Sequence, residues 1–315
     1  MKGKEYPDTF AELERMYASD SDCYDYLRKL RWPDGFVCPK CGARVAWETD
    51  RGLFLCSGCR SQRSVVSGTL FHRSHLSMRM WFRAMWCICS DKSGVSALCL
   101  KRSLGLASYN TAWLCLHKLR RAMVRPGRER LSGVVEADEA YLGAPREGRT
   151  GRGAYGKQLV FVAVERKGSK MGRIRMAGIP DASKESLQVA VRNNIEPGAE
   201  VHTDGWFGYK WMEKDSSPYR RIKANEAEGA VSECLLPKCH LVISLFRRWL
   251  DGTLQGSVGT GHLQDYLNEF VFRFNRRSSR SRGLLFRRLA EMAVVSKPNP
   301  RMSIIGGNHQ DVVLG

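Results

Sequence analysis

The spacing of apolar residues changes along the chain and separates a helical part from a part that contains β-strands. Between residues 76 and 123, apolar residues recur at three- and four-residue intervals, which predicts helices. After residue 133, short runs such as "VVEAD", "LVFVAVE" and "RIRMAGI" are typical of buried strands. The first 17 residues have the pattern of a short amphipathic helix. The pattern therefore predicts a helical first part followed by a sheet.

The helical part has the features of a helix-turn-helix. Three helices are predicted, with stops at Gly94 and Gly105, and Ser108 is a suitable N-cap for the third. A short glycine-bearing turn between the last two helices is typical of this DNA-binding motif, although a plain helical bundle with a solvated basic face has the same pattern. The basic residues placed to meet phosphates or base edges are Lys101, Arg102, Lys118, Arg120 and Arg121.

The second part has an order of elements that favours an α/β fold. Three strands are followed by the helix "DASKESLQVAVRNNI", which Asp181 or Ser183 could cap, then by the strand in "AEVHTDGW" and later helices. Strands first, with one crossover helix before the fourth strand, predict a ribonuclease H-like core, a mixed sheet flanked by helices. The segment "VRPGRERLSG", 124–133, contains Pro, Gly and charges and reads as a linker.

Four cysteines have the spacing of a zinc ribbon. In "CPKCGARVAWETDRGLFLCSGC", two C-x2-C pairs are separated by 14 residues, and they contribute Cys38, Cys41, Cys56 and Cys59. Two such pairs can present four thiolates tetrahedrally, which is the geometry of a structural zinc site. A redox C-x2-C motif is the competing interpretation, but redox motifs occur singly and beside a βαβ pattern. The other cysteines lack this spacing and are expected to be packing residues.

These patterns divide the chain into five predicted regions. They are an N-terminal helical segment, 1–33, the zinc ribbon, 34–70, the helix-turn-helix-like DNA-binding region, 71–131, the ribonuclease H-like domain, 132–295, and a C-terminal tail, 296–315.

The charge of the chain indicates a polyanionic partner. Lys and Arg number 51 against 32 Asp and Glu, and the pI is near 9.7. A basic surface of this kind holds phosphate, which favours nucleic acid over membrane. No run of about 18 apolar residues is present, and the N-terminus lacks the apolar core of a signal peptide. We therefore expect a cytoplasmic protein that associates with the nucleoid through DNA.

Two acidic residues at strand ends form the candidate catalytic site. Asp138, in "VVEADEAYLG", is predicted to end the first strand, and Asp204, in "VHTDGWFGY", the fourth. If these strands are neighbours, both carboxylates lie at one sheet edge, where they can hold two divalent ions about 4 Å apart for phosphodiester chemistry. Oxygen ligands suit magnesium or manganese. A strand end can also carry Asp for turn chemistry alone. Glu139 is the weaker candidate because neighbouring strand residues face opposite sides.

Six stretches, in order, resemble bacterial insertion-sequence transposases of the ISXO group, which combine a zinc ribbon with a DDE-type catalytic domain. They are "RWPDGFVCPKCG", "SGTLFHRSHLSMRMWFRAMW", "VVEADEAYLG", "GRGAYGKQLVFVAVE", "VHTDGWFGY" and "HLQDYLNEFVFRFNRR". The resemblance implies a DNA transposase that cuts and joins strands at inverted-repeat ends, with Asp138 and Asp204 as the first two metal ligands. It also implies that the N-terminal zinc and helical parts bind the element's terminal DNA. A homo-oligomer is expected because two ends must meet.

The chain departs from the group at the third ligand. Leu245 stands where the group often has Asn or an acidic residue, and Arg247 stands where it has Lys, a change that keeps a positive charge against DNA phosphate. The substitute ligands, ranked with His240 first, are His240, Asp251, Glu269 and Glu139. Leu245 also motivates an alternative function, that of a catalytically inactive transposase-derived DNA-binding protein. A zinc-ribbon nuclease unrelated to transposition is a third interpretation.

Three further segments are candidates for DNA contact. The segment "FRFNRRSSRSRGLLFRR" is rich in arginine, and its candidates for the DNA backbone are Arg273, Arg276 and Arg277. The Gly-rich basic loop 148–157 lies close in sequence to the strand that contains Asp138 and could follow the substrate strand. Trp206 and Tyr209, next to Asp204, could stack on an unpaired base, although packing in the core explains them equally well.

Overall fold

The computed structural model describes residues 5–91, 93–142, 157–223, 236–254 and 260–306. The α-helices are α1 Phe10–Met16, α2 Asp20–Arg31, α3 Met78–Ser90, α4 Ala97–Leu104, α5 Tyr109–Ala122, α6 Lys184–Asn194, α7 Pro237–Leu254, α8 Leu263–Phe274, α9 Arg282–Val295 and α10 Arg301–Ile305. The strands are β1 Ala46–Glu48, β2 Phe54–Cys56, β3 Gln62–Arg63, β4 Val134–Leu142, β5 Gln158–Lys167, β6 Lys170–Ile179, β7 Glu200–Thr203 and β8 Arg220–Lys223. Two 3-10 helices span Phe207–Glu213 and Thr260–His262.

The chain forms two compact units, and the first is built from both ends of the described chain. Residues 1–125 and 278–306 make up the first unit, and residues 126–277 belong to the second. Helix α9 packs on α2, α3 and α5. Its Phe286 is fully buried, with Tyr17, Tyr26, Phe82 and Trp86 around its ring. The sequence pattern had placed this helix at the end of the catalytic domain, but its apolar face completes the core of the first unit.

One glycine permits the close approach of α9 to the N-terminus. A Cβ built on Gly283 would lie only 1.6 Å from the carbonyl oxygen of Pro7. Any side chain at position 283 would therefore displace the backbone around Pro7.

The helix-turn-helix predicted from the sequence forms within the first unit. Helix α4 ends at Gly105, which has φ +64°, a left-handed conformation that Gly adopts without strain. Helix α5 begins after Ser108, whose side chain accepts a hydrogen bond from the Asn110 N–H. The two helices pack on each other and on α3. These local signals explain why the sequence pattern located the motif correctly.

The second unit is a five-stranded mixed sheet with helices on both faces. The strand order is β6-β5-β4-β7-β8, in which β4, β5 and β6 are antiparallel and β7 and β8 run parallel to β4. One face carries α7 and α8 around Phe246, and the other carries α6 and the 3-10 helix around Tyr209. This is the ribonuclease H-like α/β arrangement expected from the order of elements. Within the described residues, every helix is too short or too polar to cross a membrane.

Candidate active site and zinc-binding cluster

The pairing of two parallel strands brings Asp138 and Asp204 to one place. Strand β4 pairs with β7 in a register that sets Glu136 opposite His202. Asp138 lies two residues beyond Glu136 and Asp204 lies two residues beyond His202, so the two aspartates follow the same register. The crossover through β5, β6 and α6 thus brings Asp138 and Asp204 to the carboxyl end of β7.

Asp138 lies within its strand, whereas the sequence pattern placed it at the strand end. Strand β4 continues to Leu142 because Asp138, Glu139 and the next residues keep pairing with β5. Consecutive side chains therefore face opposite sides of the sheet. Glu139 points away from Asp138 and accepts a hydrogen bond from the hydroxyl of Tyr209, which is fully buried. The structure thus places Glu139 on the other face from Asp138 and disfavours it as a third ligand.

His240 is the residue of α7 that contacts Asp138. Its Nε2 lies 3.3 Å from Asp138 Oδ2, and the other oxygen of Asp138 accepts a hydrogen bond of 2.8 Å from the Glu139 N–H. Burial raises the pKa of Asp138, the nearby Asp204 raises it further, and the hydrogen bond from Glu139 and the contact with His240 oppose the shift. Since the Asp204 charge acts on this pKa, the two carboxylates lie near each other.

A cleft of about 420 Å³ opens beside this pair, and one face of α7 lines it. The α7 residues in the lining are His240, Ile243, Ser244 and Arg247, at the spacing of one helical face. Arg247 donates a hydrogen bond of 3.1 Å to the carbonyl of Tyr141. Leu245 points elsewhere and packs against the hydrophobic core.

Asp251 and Glu269 are not among the residues that line the cleft. Asp251 is 11 residues beyond His240, about 16 Å along the helix axis. Glu269 is fully buried in α8, where its Oε1 lies 3.3 Å from Arg273 Nη1. Of the four residues considered from the sequence, only His240 contacts Asp138 through its side chain, since Glu139 does so through its backbone N–H.

Glu136 ties the start of α7 to β4, and the sequence analysis missed it. Its side chain is buried, and Oε2 accepts hydrogen bonds from the backbone N–H groups of Lys238, at 2.8 Å, and Cys239, at 3.1 Å. These N–H groups belong to the first turn of α7, where intrahelical partners are lacking. The bonds hold the residue next to Cys239, His240, opposite Asp138. An acidic residue within the apolar run "VVEAD" was the signal in the sequence that could have identified Glu136.

We expect Glu136→Ala to destabilise the protein by roughly 2–4 kcal/mol, because it leaves two buried N–H groups without an acceptor. Chemical denaturation monitored by tryptophan fluorescence measures the loss. Glu136→Gln is the matched control, since it retains one acceptor oxygen and should cost less. Equal losses in the two variants would contradict this role of the Glu136 oxygen.

Arg221 fixes the backbone that follows β7 and was also missed. Its side chain is only 1% exposed. Its Nε donates to Thr203 Oγ1 at 2.9 Å, and Nη2 donates to the carbonyl oxygens of Asp204, at 2.8 Å, and Trp206, at 3.1 Å. Asp204 is therefore held from the neighbouring strand β8. In the sequence Arg221 does not differ from the exposed Arg220 beside it.

The four cysteines of the ribbon converge as their spacing predicts. All four Sγ atoms lie within 4.8 Å of one another. The Cys38–Cys59 and Cys41–Cys56 separations are 3.7 and 3.5 Å. A tetrahedron with zinc–sulfur bonds of about 2.3 Å has edges of about 3.8 Å, so the cluster fits zinc.

The surroundings favour the thiolate at Cys38 and Cys59, whereas hydrogen bonds with the neighbouring cysteines raise the pKa of Cys41. The backbone N–H of Lys40 lowers the pKa of Cys38 to about 6, assisted by the Cys41 N–H and by Ser61. Ser61 also lowers the pKa of Cys59, whose Sγ lies 3.1 Å from the Ser61 hydroxyl. Thiolate is the form that binds metal.

Comparison with known proteins matches two regions of the chain, one that contains the carboxylates and one that contains the zinc ribbon. Residues 130–275 match the ISXO2-like transposase domain, and residues 18–62 match the transposase zinc-ribbon domain. The chain therefore carries an ISXO2-like transposase domain and a transposase zinc ribbon. It is also 25% identical over 279 residues, 82% of this chain and 92% of the other, to a protein of Halobacterium salinarum described as an "Uncharacterized protein in transposable element ISH50".

The family match assigns this transposase its general function and cofactors. It acts on DNA, as the basic composition indicated, and its DDE domain implies a divalent metal. The four-cysteine cluster within the matched ribbon supports a structural zinc.

The basic residues of the helical region of the transposase differ in accessibility. Arg102 is exposed and Lys101 half-buried on α4. Burial lowers the pKa of Lys118. Arg120 is only 1% exposed, so the DNA contact expected from the sequence does not agree with its position. Arg121 donates to the Asn299 side chain and the Ser303 carbonyl, and so holds α10.

The arginines after α8 are occupied within the second unit. The Arg273 guanidinium contacts Glu269 and lies over Trp249. Arg276 lies over Phe272, and Arg277 donates to the carbonyls of Gly172 and Met171. Structural roles of this kind account for these residues without DNA, and their contact with a phosphate backbone stays a prediction. Of the basic loop 148–157, residues 148–156 lie outside the described residues.

Proposed function

We propose that this transposase cuts DNA at the inverted-repeat ends of an insertion sequence and joins the ends to target DNA, with Asp138 and Asp204 as its catalytic carboxylates. The observation that supports the proposal is the parallel pairing of β4 with β7, in which each aspartate lies two residues beyond the paired residues Glu136 and His202. Such a protein would work in the cytoplasm, on nucleoid DNA. We also propose that it acts as a homo-oligomer, because two ends must be held together.

The proposed reaction has two steps at one site. Hydrolysis of a phosphodiester at the element end leaves a 3′-hydroxyl and a 5′-phosphate. The hydroxyl then attacks a target phosphodiester, forms a new bond to phosphorus and displaces the target's 3′-oxygen. Neither step requires a covalent bond to the protein.

The donor set of the site fits divalent cations. Asp138 and Asp204 supply carboxylate oxygens, which suit magnesium or manganese, and His240 adds an imidazole. When bound, such ions stabilise charge on the attacking and leaving oxygens. Among the described residues, Asp138, Asp204 and His240 do not form a cluster as compact as that of the four cysteines, whose ligand atoms all lie within 4.8 Å of one another.

The surrounding residues hold these ligands in place. Arg221 orients the Asp204 backbone, and Glu136 sets the start of α7 so that His240 meets Asp138. Arg247 is exposed in the cleft and presents a positive charge to a DNA phosphate. Leu245 packs on the core, so we propose that the site works without a ligand from position 245.

The direct test is strand cleavage and transfer with labelled repeat ends in magnesium or manganese. We expect metal-dependent nicking that leaves 3′-hydroxyl ends, followed by joining. Inactivity of a zinc-loaded protein that still recognises the ends would instead favour a DNA-binding protein without catalysis. Cleavage by a Leu245→Asn variant would then show whether Leu245 is the cause of the inactivity. Equal binding to random DNA would favour a zinc-ribbon nuclease.

Replacement of Arg247 tests the cleft as a DNA-contacting surface. We expect Arg247→Ala to weaken binding of a repeat-end duplex and to reduce the salt dependence of the affinity by about one phosphate contact. Fluorescence anisotropy over a salt series measures both. Arg248→Ala is the control, because Arg248 is exposed on the same helix but does not line the cleft. Identical salt slopes for the two variants would exclude this contact.

A further inference from the structure

An exposed aromatic ring follows Asp204 closely in the sequence. Phe207 lies three residues after Asp204, at the start of the 3-10 helix, and is 57% exposed. Tyr209 and Trp211 on the same short helix are buried. The exposed ring of Phe207 therefore offers an apolar face that a ligand can cover.

The segment beneath the ring is held firmly. Trp206 lies against Phe207 with ring centroids 4.2 Å apart, and its Nε1 donates to the Ala182 carbonyl at 2.8 Å. The Trp206 N–H donates to Asp204 Oδ1 at 3.0 Å, so the same aspartate that serves the site also shapes the turn. Arg221 donates hydrogen bonds to the carbonyls of Asp204 and Trp206, so the backbone that carries Phe207 is held in place.

The structure also shows why the two aromatic residues singled out from the sequence do not suit this role. Tyr209 is fully buried, and its hydroxyl is engaged by Glu139. Trp206 packs on the hydrophobic core and against Phe207. Phe207 offers the accessible ring surface of this segment.

We propose that Phe207 stacks on an unpaired nucleobase next to the phosphodiester that is cut. This inference rests on the proposed function, which puts the cut phosphate at Asp138 and Asp204. Three residues span at most about 10 Å, which is about three nucleotides along a strand. The ring is therefore within reach of a base that adjoins the cut.

The chemistry of the Phe207 ring favours a nucleobase over a protein as its partner. A phenyl ring has no hydrogen-bonding group, so it recognises the face of any base rather than its edge. One ring matches one base, whereas a stable protein interface buries about 800 Å² on each partner. The net charge of +19 also favours a nucleic acid at this position.

The test is a double-substitution cycle between Phe207 and the DNA. Duplex repeat ends are made with a single abasic position, moved stepwise through the nucleotides around the cut. Cleavage rates are measured for wild type, Phe207→Ala and Phe207→Trp. Binding to the same duplexes is measured by anisotropy without divalent metal. Val189→Ala is the control, because Val189 is similarly exposed, at 51%, on the neighbouring α6.

We expect Phe207→Ala to slow cleavage of intact ends by roughly 5- to 100-fold, the range for loss of one base–aromatic stack. At one abasic position the same substitution should have no further effect, since the base is already missing. Phe207→Trp should restore the rate, and Val189→Ala should not change it.

Three results would overturn the inference. The first is a Phe207→Ala rate equal to wild type, and the second is a loss of equal size at every abasic position. The third is a change in oligomeric state instead of in the response to DNA. A wild-type protein that cuts no DNA in either metal would refute the proposed function, while the metal-free binding cycle would still report on Phe207.

Discussion

Asp138→Asn and Asp204→Asn should each reduce strand cleavage by roughly 10³-fold or more while leaving binding of the repeat ends unchanged. The expected size follows from several kcal/mol of transition-state stabilisation that depends on the metal-holding carboxylates, at about 1.4 kcal/mol for each factor of ten. An amide keeps the shape of the side chain but loses the negative charge that attracts divalent ions. Gel electrophoresis of labelled ends measures cleavage, and mobility shift measures binding.

The control for these substitutions is Asp215→Asn. Asp215 is an exposed aspartate of the same unit and is not among the residues that line the cleft. The Asp215→Asn substitution should leave cleavage unchanged. Loss of end binding in Asp138→Asn or Asp204→Asn would contradict the separation between DNA recognition and chemistry, and activity of both variants would show that the catalytic carboxylates lie elsewhere.

Loss of zinc should abolish recognition of the repeat ends. Cys56→Ser removes one of four ligands, and strands β1 to β3 form too small a sheet to fold without the metal. Zinc binding contributes about 10–16 kcal/mol to folding in small zinc domains, so the ribbon should unfold completely. We expect the zinc content to fall from one atom per chain to none and specific affinity to fall by at least about tenfold.

A matched cysteine distinguishes metal loss from a general effect of the substitution. Cys99 is exposed and lies outside the four-cysteine cluster, so Cys99→Ser should retain zinc and bind the ends normally. Circular dichroism should show that Cys56→Ser keeps the mixed sheet of the second unit. A Cys56→Ser protein that binds ends as wild type does would show that the ribbon has no part in DNA recognition.

Much of the site was predictable because it depends on local patterns and on a general property of parallel strands. The C-x2-C spacing predicted the cysteine cluster. The order of strands placed Asp138 and Asp204 at one sheet edge if their strands are neighbours, and β4 does pair with β7 in parallel. The extent of β4 beyond Asp138 was not predictable, because polar residues continue to pair with β5 without any change in the alternation.

The residues that support the site were not predictable, because their roles depend on partners distant in the chain. Glu136 bonds to residues about a hundred positions later, at the start of α7. Arg221 is buried beside the exposed Arg220, and nothing in their identity distinguishes them. A run of basic residues likewise does not reveal that Arg120 is buried while Arg102 is exposed.

The position of α9 determines when the protein can finish folding. The second unit is inserted between two segments of the first, so a chain emerging from the ribosome releases the whole mixed sheet before Phe286 is made. Until then Tyr17, Tyr26 and Phe82 lack the ring that closes their cluster. A product truncated before residue 278 would contain the ribbon and the helix-turn-helix but not the helix that completes their unit. Prematurely terminated copies would therefore compete poorly with complete ones for the ends of the element.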